Sequence, residues 1–238
     1  MKTGSVDSMD STRPFQLVTG VVREALRASS RPMAVVAGDG PEEKLLARWL
    51  RRAQIPYETP PPELVDKAEE LLLGQRKAWE GQSPKGDHGN VRGAVNPVLM
   101  GGESTGASAL AGFALARACG GLLLGAENKT CLLLSQVDGG EPCFPLGDLY
   151  ASDILDLVGD ATLPDILVAK TPDTIRAVDK ALEAYYGERL GEEVAFRHLK
   201  AEVRGSVLTA LSVARWRWHS RPLIPKLGKA TLGLDLDP

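Results

Sequence analysis

Residues 37–43, with the sequence AGDGPEE, lie between an apolar run and a helix-like segment and could bind an anion through their backbone. A glycine-rich turn before a helix presents N–H groups and a helix dipole to phosphate, so Gly38 and Gly40 are candidate phosphate-binding residues. Against this, Asp39 and Glu42 place negative charge where a phosphate would lie, and the stretch contains no Lys, Ser or Thr. It is neither a Walker loop nor a dinucleotide fingerprint. The favoured interpretation is a plain strand–turn–helix junction, and a phosphate site is the alternative.

A second group of polar residues follows the apolar run GLLLG at 121–125. Asn128 and Lys129 come shortly after this run, and Asp148 stands in the turn-like sequence PLGDLY. Ligands of parallel-sheet proteins bind where loops leave the carboxyl ends of strands, so Asn128 and Lys129 are placed to contact one. The favoured interpretation is nevertheless structural. In it, Asn128 and Lys129 fix the loop by hydrogen bonds, and Asp148 caps a helix that begins at residue 151.

The elements that must position these residues alternate between strand and helix. Short apolar runs bounded by turn residues predict strands at 33–38, within 55–64 and at 121–125. Apolar residues at helical spacing predict helices over 15–30, 41–54, 62–81, 104–119, 151–158 and 173–186, and a helical C-terminal third. The small residues of 104–119 predict a helix that packs closely on the sheet. The fold class is therefore α/β, with a Rossmann-like parallel sheet covered by helices on both faces.

The segment 121–172 resembles the ammonia-dependent NAD synthetase family. The family's run is a strand, G-T-x-N-K-S-E, a loop, D-G-G-x-D, P-x-G-D-L-Y-K, a helix and V-P-x-x-I-x-x-K-x-P. The matching residues fall in the same order: Asn128, Lys129, Asp138, Gly139, Gly140, Pro145, Gly147, Asp148, Leu149, Tyr150, Pro164, Ile166, Lys170 and Pro172. The resemblance implies a fold of the ATP-pyrophosphatase type, and it adds Asp138 and Asp148 to the candidate nucleotide-binding residues Gly38, Gly40, Asn128 and Lys129.

The same resemblance implies a chemistry and an assembly. Such an enzyme adenylates the carboxylate of deamido-NAD with ATP and Mg²⁺, and ammonia then displaces AMP. Family members bind deamido-NAD across a dimer interface, which implies a homodimer with ATP or deamido-NAD as its ligand.

The sequence departs from the family at the positions that do this chemistry. The family's S-G-G-x-D-S loop falls on residues 37–43, and its helix arginines fall on Gly106 and Ser108. Its threonine, metal-binding glutamate, acid after D-G-G and reactive lysine are replaced by Ala126, Cys131, Pro142 and Ala151. The loop between Lys129 and Asp138 is shortened, and the family segment W-P-G-Q-T-D-E-x-E-L-G is missing after Pro172. The sequence therefore predicts no catalytic residue and no metal ligand, in a protein that acts as a nucleotide-binding, scaffold or regulatory homologue.

Two alternatives stay open. In the first, the chain is an active ATP-dependent amide-forming ligase, with replacement groups from the loop-like residues 82–106, namely Lys85, His88 and Arg92. In the second, it is a partner protein that pairs with an active synthetase.

Bulk properties limit the other function classes. The chain has 238 residues, of which 43% are hydrophobic and 25% charged, and a formal net charge of −3, so nothing indicates nucleic-acid binding. No signal peptide or membrane span is visible. The chain has three cysteines, an odd number without a C-x-x-C pair, which is typical of reduced thiols in the cytoplasm. We expect a disordered leader over 1–14 and one α/β domain over 15–238.

Overall fold

The computed structural model of the protein describes residues 12–82, 103–134, 143–163, 167 and 171–214. Within these ranges, three short strands form a parallel sheet: β1 is Ala34–Val36, β2 is Tyr57–Glu58 and β3 is Leu122–Leu124. The strand order is β2-β1-β3, and Ala34 is the register partner of both Tyr57 and Leu122. Cys143 adds a single parallel bridge beside β3. The predicted parallel sheet is confirmed.

Helices separate the strands and make up most of the described chain. They are α1 Thr12–Ala28, α2 Pro41–Arg52, α3 Pro62–Gln82, α4 Glu103–Cys119, α5 Lys129–Leu134, α6 Ala151–Val158, α7 Pro172–Leu182, α8 Glu192–Ala195 and α9 Ala201–Ala214, with a π-helical turn Glu183–Gly187 after α7. The six helices predicted with stated bounds are present; α6 has the predicted ends, and the ends of the other five are shifted by a few residues. The short helix α5 was predicted as loop, and α1 begins inside the predicted leader. The division into a leader and one domain stays a prediction.

The sheet is covered on both faces, as predicted. Side chains alternate along a strand, so Ala34 and Val36 face one way and pack in a buried cluster with residues of α1, α2 and α6. Val35 and Leu123 face the other way and pack against α4. A third buried cluster joins α5, α7 and α9 beside the sheet. The elements that surround the carboxyl ends of β1 and β3 are therefore fixed by these three buried clusters.

The close packing of α4 on the sheet comes from a glycine. A Cβ built on Gly112 would lie 2.5 Å from the Ala37 Cβ and 3.0 Å from the Leu123 Cδ1, so only glycine lets the helix approach this far. The short distance between α4 and the sheet at Gly112 fixes the position of Ala37, at which the glycine-rich turn after β1 begins.

Helix α2 carries the sequence features that later define the site. Pro41 stands in its first turn, where a missing N–H costs nothing, and Glu42 and Glu43 lie at the positive end of the helix dipole. Trp49 is buried on its inner face, whereas Arg48 and Arg52 are exposed. None of the helices in the described ranges is both long and apolar enough to cross a membrane.

Candidate functional site

The carboxylate of Glu42 organises the ends of the strands. Glu42 is 2% exposed, and its Oε1 accepts hydrogen bonds from Asn128 Nδ2 at 2.6 Å and from the Thr162 backbone N–H at 2.9 Å. Its Oε2 accepts from Thr162 Oγ1 at 2.6 Å. Three donors satisfy the buried charge, as burial of a carboxylate requires. We call Gly38, Gly40, Glu42, Glu43, Asn128, Cys131 and Thr162 the strand-end cluster.

Asn128 uses both ends of its amide inside this cluster. Its Nδ2 also donates to the Thr162 carbonyl at 2.9 Å, and its Oδ1 accepts from the Cys131 backbone N–H at 3.0 Å. The second bond satisfies an N–H group at the start of α5 that has no partner within the helix. Asn128 thus fixes the loop, as the structural interpretation of this residue expects.

The turn formed by Gly38 and Gly40 already holds a carboxylate. A Cβ built on Gly38 would lie 2.7 Å from Glu43 Oε1, and one built on Gly40 would lie 2.6 Å from Glu43 Oε2. Gly38 has φ of 113°, a conformation that favours glycine. Burial raises the pKa of Glu43 to about 6, with Glu42 and Asp39 adding repulsion, while hydrogen bonds from the backbone of Glu43 and Gly40 act in the opposite direction. The glycines therefore enclose the protein's own anion.

The positions that would bind Mg²⁺ in the family do not fit that ion here. Cys131, 5% exposed, has its Sγ 3.4 Å from the Thr162 carbonyl oxygen, and burial together with Glu42 raises the pKa of its thiol well above the usual value. Mg²⁺ takes oxygen ligands in octahedral geometry, which a protonated thiol does not supply. Across the described ranges, no group of three His, Cys, Asp or Glu side chains is placed to hold a metal. Ala126 and Ala151, which also replace reactive family residues, are buried. The candidate Asp138 and the replaced position Pro142 lie outside the described residues.

Lys129 faces a different place from its neighbour Asn128. Its Nζ lies 3.3 Å from Asp148 Oδ1 in an ion pair whose side chains are 3% and 0% exposed, and 4.6 Å from the centre of the Tyr150 ring. Its backbone N–H donates to the Leu149 carbonyl at 2.7 Å. A buried cation with a carboxylate and an aromatic face around it is strongly held.

The predicted capping role of Asp148 is wrong. Helix α6 begins after Tyr150, whose backbone N–H donates to Asp153 Oδ2 at 2.8 Å, so the acid that serves this helix start is Asp153. Asp148 lies two residues before Tyr150, the N-cap residue, and its carboxylate pairs instead with Lys129 Nζ at 3.3 Å.

A further buried carboxylate, that of Asp179, was missed from the sequence. Its Oδ1 accepts from Thr130 Oγ1 at 2.6 Å and its Oδ2 from the Ser152 backbone N–H at 2.7 Å, and burial raises its pKa. The Ala151 backbone N–H in turn donates to Thr130 Oγ1 at 2.9 Å. One signal was available: Asp179 sits among the buried apolar positions of α7, where an acid needs internal partners.

Lys129, Asp148 and Asp179 line a cleft of about 1020 Å³ that we call the α2–α7 cleft. Side chains of α1 and α2 form one wall, and those of α6 and α7 with the π-helical turn form the other. Gly38, Gly40 and Asn128 do not line it. The structure therefore divides the described candidates between two places, the strand-end cluster and this cleft.

The sheet and its covering helices define an α/β protein of the parallel-sheet class. The sequence matches no protein-family model and no curated protein. Among solved structures, the chain is similar to an NH3-dependent NAD synthetase from Campylobacter jejuni in complex with a nitrate ion. The two share 14% sequence identity over 88% of this chain and 96% of that chain, with a TM-score of 0.49.

Proposed function

We propose that this chain is an NAD synthetase-like protein that has lost amidation of deamido-NAD and acts as a nucleotide-binding homologue with a scaffold or regulatory role. The motifs N-K, D-G-G and G-D-L-Y, in order between residues 128 and 150, support the relationship. The main observation in favour of a loss of amidation activity is the position of Glu43, whose carboxylate oxygens lie against Gly38 and Gly40. A phosphate cannot share that turn with a carboxylate, because the two anions would compete for the same N–H groups and repel each other.

Replacement of the other reactive groups supports the same conclusion. Loss of one preorganised electrostatic group in an active site costs on the order of 10²- to 10³-fold in rate. Here Cys131 stands for the metal-binding acid and Ala151, fully buried, for the reactive lysine. Such losses do not add simply, but together they leave little rate above background.

The hydrogen bonds that fix the loops and helix starts around the proposed former active site are present, which favours a retained binding function over loss of all function. Asn128 accepts a hydrogen bond from a backbone N–H at the start of α5, and Thr130 and Asp179 accept from backbone N–H groups at the start of α6. The buried carboxylates of Glu42 and Asp179 also have hydrogen-bond donors. A homodimer in the cytoplasm, with an active synthetase as a further candidate partner, belongs to this proposal.

A turnover assay tests the loss of amidation. The purified protein is incubated with deamido-NAD, ATP, Mg²⁺ and ammonia, and NAD, AMP and pyrophosphate are followed by mass spectrometry beside an authentic synthetase. We expect no NAD above the blank. NAD formation that persists through a second purification step and is lost in Glu42→Gln would show that other residues took over the chemistry.

Calorimetric titration with ATP tests the retained function separately. Saturable binding to the inactive protein is the expected result. Absence of binding by ATP and by deamido-NAD would contradict a nucleotide-binding role, whatever the turnover assay gives.

A further inference from the structure

We propose that the α2–α7 cleft is the ligand site of this protein and that it takes a phosphorylated nucleotide, with the phosphate on Arg13, Arg48 and Arg52. The nucleotide class rests on the proposed function. The location and the phosphate contact rest on the charges of the cleft.

The cleft is a separate place from the strand-end cluster and has room for such a ligand. Its volume of about 1020 Å³ lies at the upper end of the roughly 300–1,000 Å³ that is typical of small-molecule sites. At the strand-end cluster, by contrast, the turn is filled by Glu43, and Glu42 and Asp39 add negative charge. An anion is therefore excluded from one place and has space in the other.

Two of the five acids that line the cleft are neutralised by cations of the chain. Asp148 pairs with Lys129 at 3.3 Å on the buried floor. Asp156 Oδ1 pairs with Arg176 Nη2 at 2.8 Å on the α6–α7 wall. Within each ion pair the two opposite charges cancel, so neither pair adds a net charge to the cleft.

The other three acids accept hydrogen bonds from neutral donors. Asp179 accepts from Thr130 Oγ1 and Asp153 from the Tyr150 backbone N–H. Glu183 Oε2 accepts from the Tyr150 hydroxyl at 2.7 Å. Burial raises the pKa of Asp153 and of Asp179, which lowers the cost of protonating them. All five acids of the cleft are thus engaged within the protein.

The arginines of the opposite wall are differently placed. In the described part of the chain, no ion pair involves Arg13, Arg48 or Arg52. Arg48 and Arg52 are one helical turn apart on α2 and project to the same side, with the Arg52 guanidinium 4.5 Å from the centre of the Phe15 ring. Guanidinium groups bind oxyanions such as phosphate through paired N–H donors, which an apolar ligand cannot match.

The remaining surface of the cleft suits the nucleoside part. Leu17, 37% exposed, and Leu157 offer apolar contact, and the mostly buried Trp49 also lines the cleft. A base and ribose could lie here while the phosphates reach the arginines.

Titration of ATP and of adenosine into matched variants tests this site. We expect Arg48→Ala/Arg52→Ala to weaken ATP binding at least about tenfold, through loss of charge-assisted hydrogen bonds, and to leave adenosine binding little changed. Arg27→Ala, which removes a 78% exposed arginine of α1 outside the cleft, should change ATP affinity by less than about twofold. Circular dichroism and thermal unfolding of each variant confirm that it is folded.

The outcomes separate this proposal from the proposed function. ATP binding that is unchanged in the double arginine variant but altered in Glu43→Gln would place the ligand at the strand-end cluster and overturn the cleft assignment alone. Adenosine binding as tightly as ATP would overturn the phosphate contact. No binding of either ATP or deamido-NAD by the unaltered chain would overturn both proposals together.

Discussion

At the level of single residues, Glu43 shows how a glycine-rich turn at a helix start can be satisfied without a ligand. The turn collects backbone N–H groups and the positive end of the α2 dipole, which together attract an anion. Glu43 lies close enough to supply that anion from the chain itself. The favourable contact between an anion and the turn therefore forms when the chain folds and requires no ligand. It also requires a carboxylate to be buried beside Glu42 and Asp39.

The raised pKa of Glu43 predicts a specific dependence of stability on pH. Its ordinary value is 4.5, and in the folded protein it is about 6. Between these two values the native state binds more protons than the unfolded state, so the free energy of unfolding falls as pH rises through this window, by about 2 kcal/mol. Glu43→Gln should lack this component, and urea unfolding of both proteins from pH 4 to pH 7.5 measures the difference.

A matched substitution at another helix start controls for the loss of a charge. Glu63 is exposed in the first turn of α3, so Glu63→Gln should track the unaltered protein across the whole pH range. Parallel curves for the unaltered protein and Glu43→Gln between pH 4.5 and 6 would mean that this carboxylate is not the titrating group.

The buried pair of Lys129 and Asp148 predicts a large loss of stability on removal of one partner. Lys129→Met leaves a carboxylate with 0% side-chain exposure without its cation, which should lower the free energy of unfolding by about 3–5 kcal/mol. Adding Asp148→Asn should recover part of that loss, because the uncompensated charge is then gone. Denaturant unfolding of the single and double variants gives both values.

The exposed pair of Arg176 and Asp156 provides the comparison. Its side chains are 50% and 65% exposed, so Arg176→Met should cost less than about 1 kcal/mol. Equal costs at the two pairs would contradict a buried, strongly coupled Lys129.

At the level of secondary-structure elements, the contact between α4 and the sheet depends on Gly112. Gly112→Ala places a Cβ where Ala37 and Leu123 already lie, so the helix must shift, and we expect a loss of about 1–3 kcal/mol in the free energy of unfolding. Gly205→Ala in α9, where a Cβ would meet nothing within 4 Å, should instead stabilise the protein by about 0.5–1 kcal/mol. Chemical denaturation of the pair checks the opposite signs, and two stabilising substitutions would rule out close packing of α4.

The same scale explains which parts of the fold the sequence could predict. Long periodic helices and the apolar strands β1 and β3 were predictable, because burial on one face or on both leaves a pattern in the sequence. Helix α5 was not, since its six residues are all buried and show no alternation between apolar and polar positions. Its start is set by Asn128 and by contacts with Thr162, which is distant in sequence.

The candidate site was only half predictable for a related reason. Asn128 and Lys129 are adjacent, so the sequence groups them, but consecutive side chains at a helix start point about 100° apart. One residue therefore joins the strand-end cluster and the other faces the α2–α7 cleft. Arg13, Arg48 and Arg52 are brought together by the packing of α1 against α2, which spacing within a single element cannot show.

At the level of the whole molecule, the three cysteines report on how tightly the chain is packed. All are free thiols; Cys119 is half-buried, whereas Cys131 and Cys143 are buried. Burial raises the pKa of Cys143 to about 12 and that of Cys131 well above its usual value, so neither is a reactive thiolate at neutral pH.

We expect a thiol reagent to modify Cys119 first in the native protein, and Cys131 and Cys143 only on unfolding. Mass spectrometry of the modified chain at intervals, with and without denaturant, measures this order, and Cys119→Ser should remove the fast phase. Rapid modification of Cys131 in native conditions would mean that the strand-end cluster opens readily.

The acids around Cys131 also constrain the mutational paths open to this protein. A glutamate substituted at position 131 would be buried among Glu42, Glu127, Asp179 and Glu43, all of which act on that position electrostatically. In the absence of a cation it would tend to take up a proton, because burial and the neighbouring acids both disfavour its charged form. Glu42 and Glu43 are in turn held by Thr162 and by the glycines of the turn. A metal site at this place would therefore need several coordinated substitutions, because a change at position 131 alone leaves the hydrogen bonds of residues 42 and 43 in place.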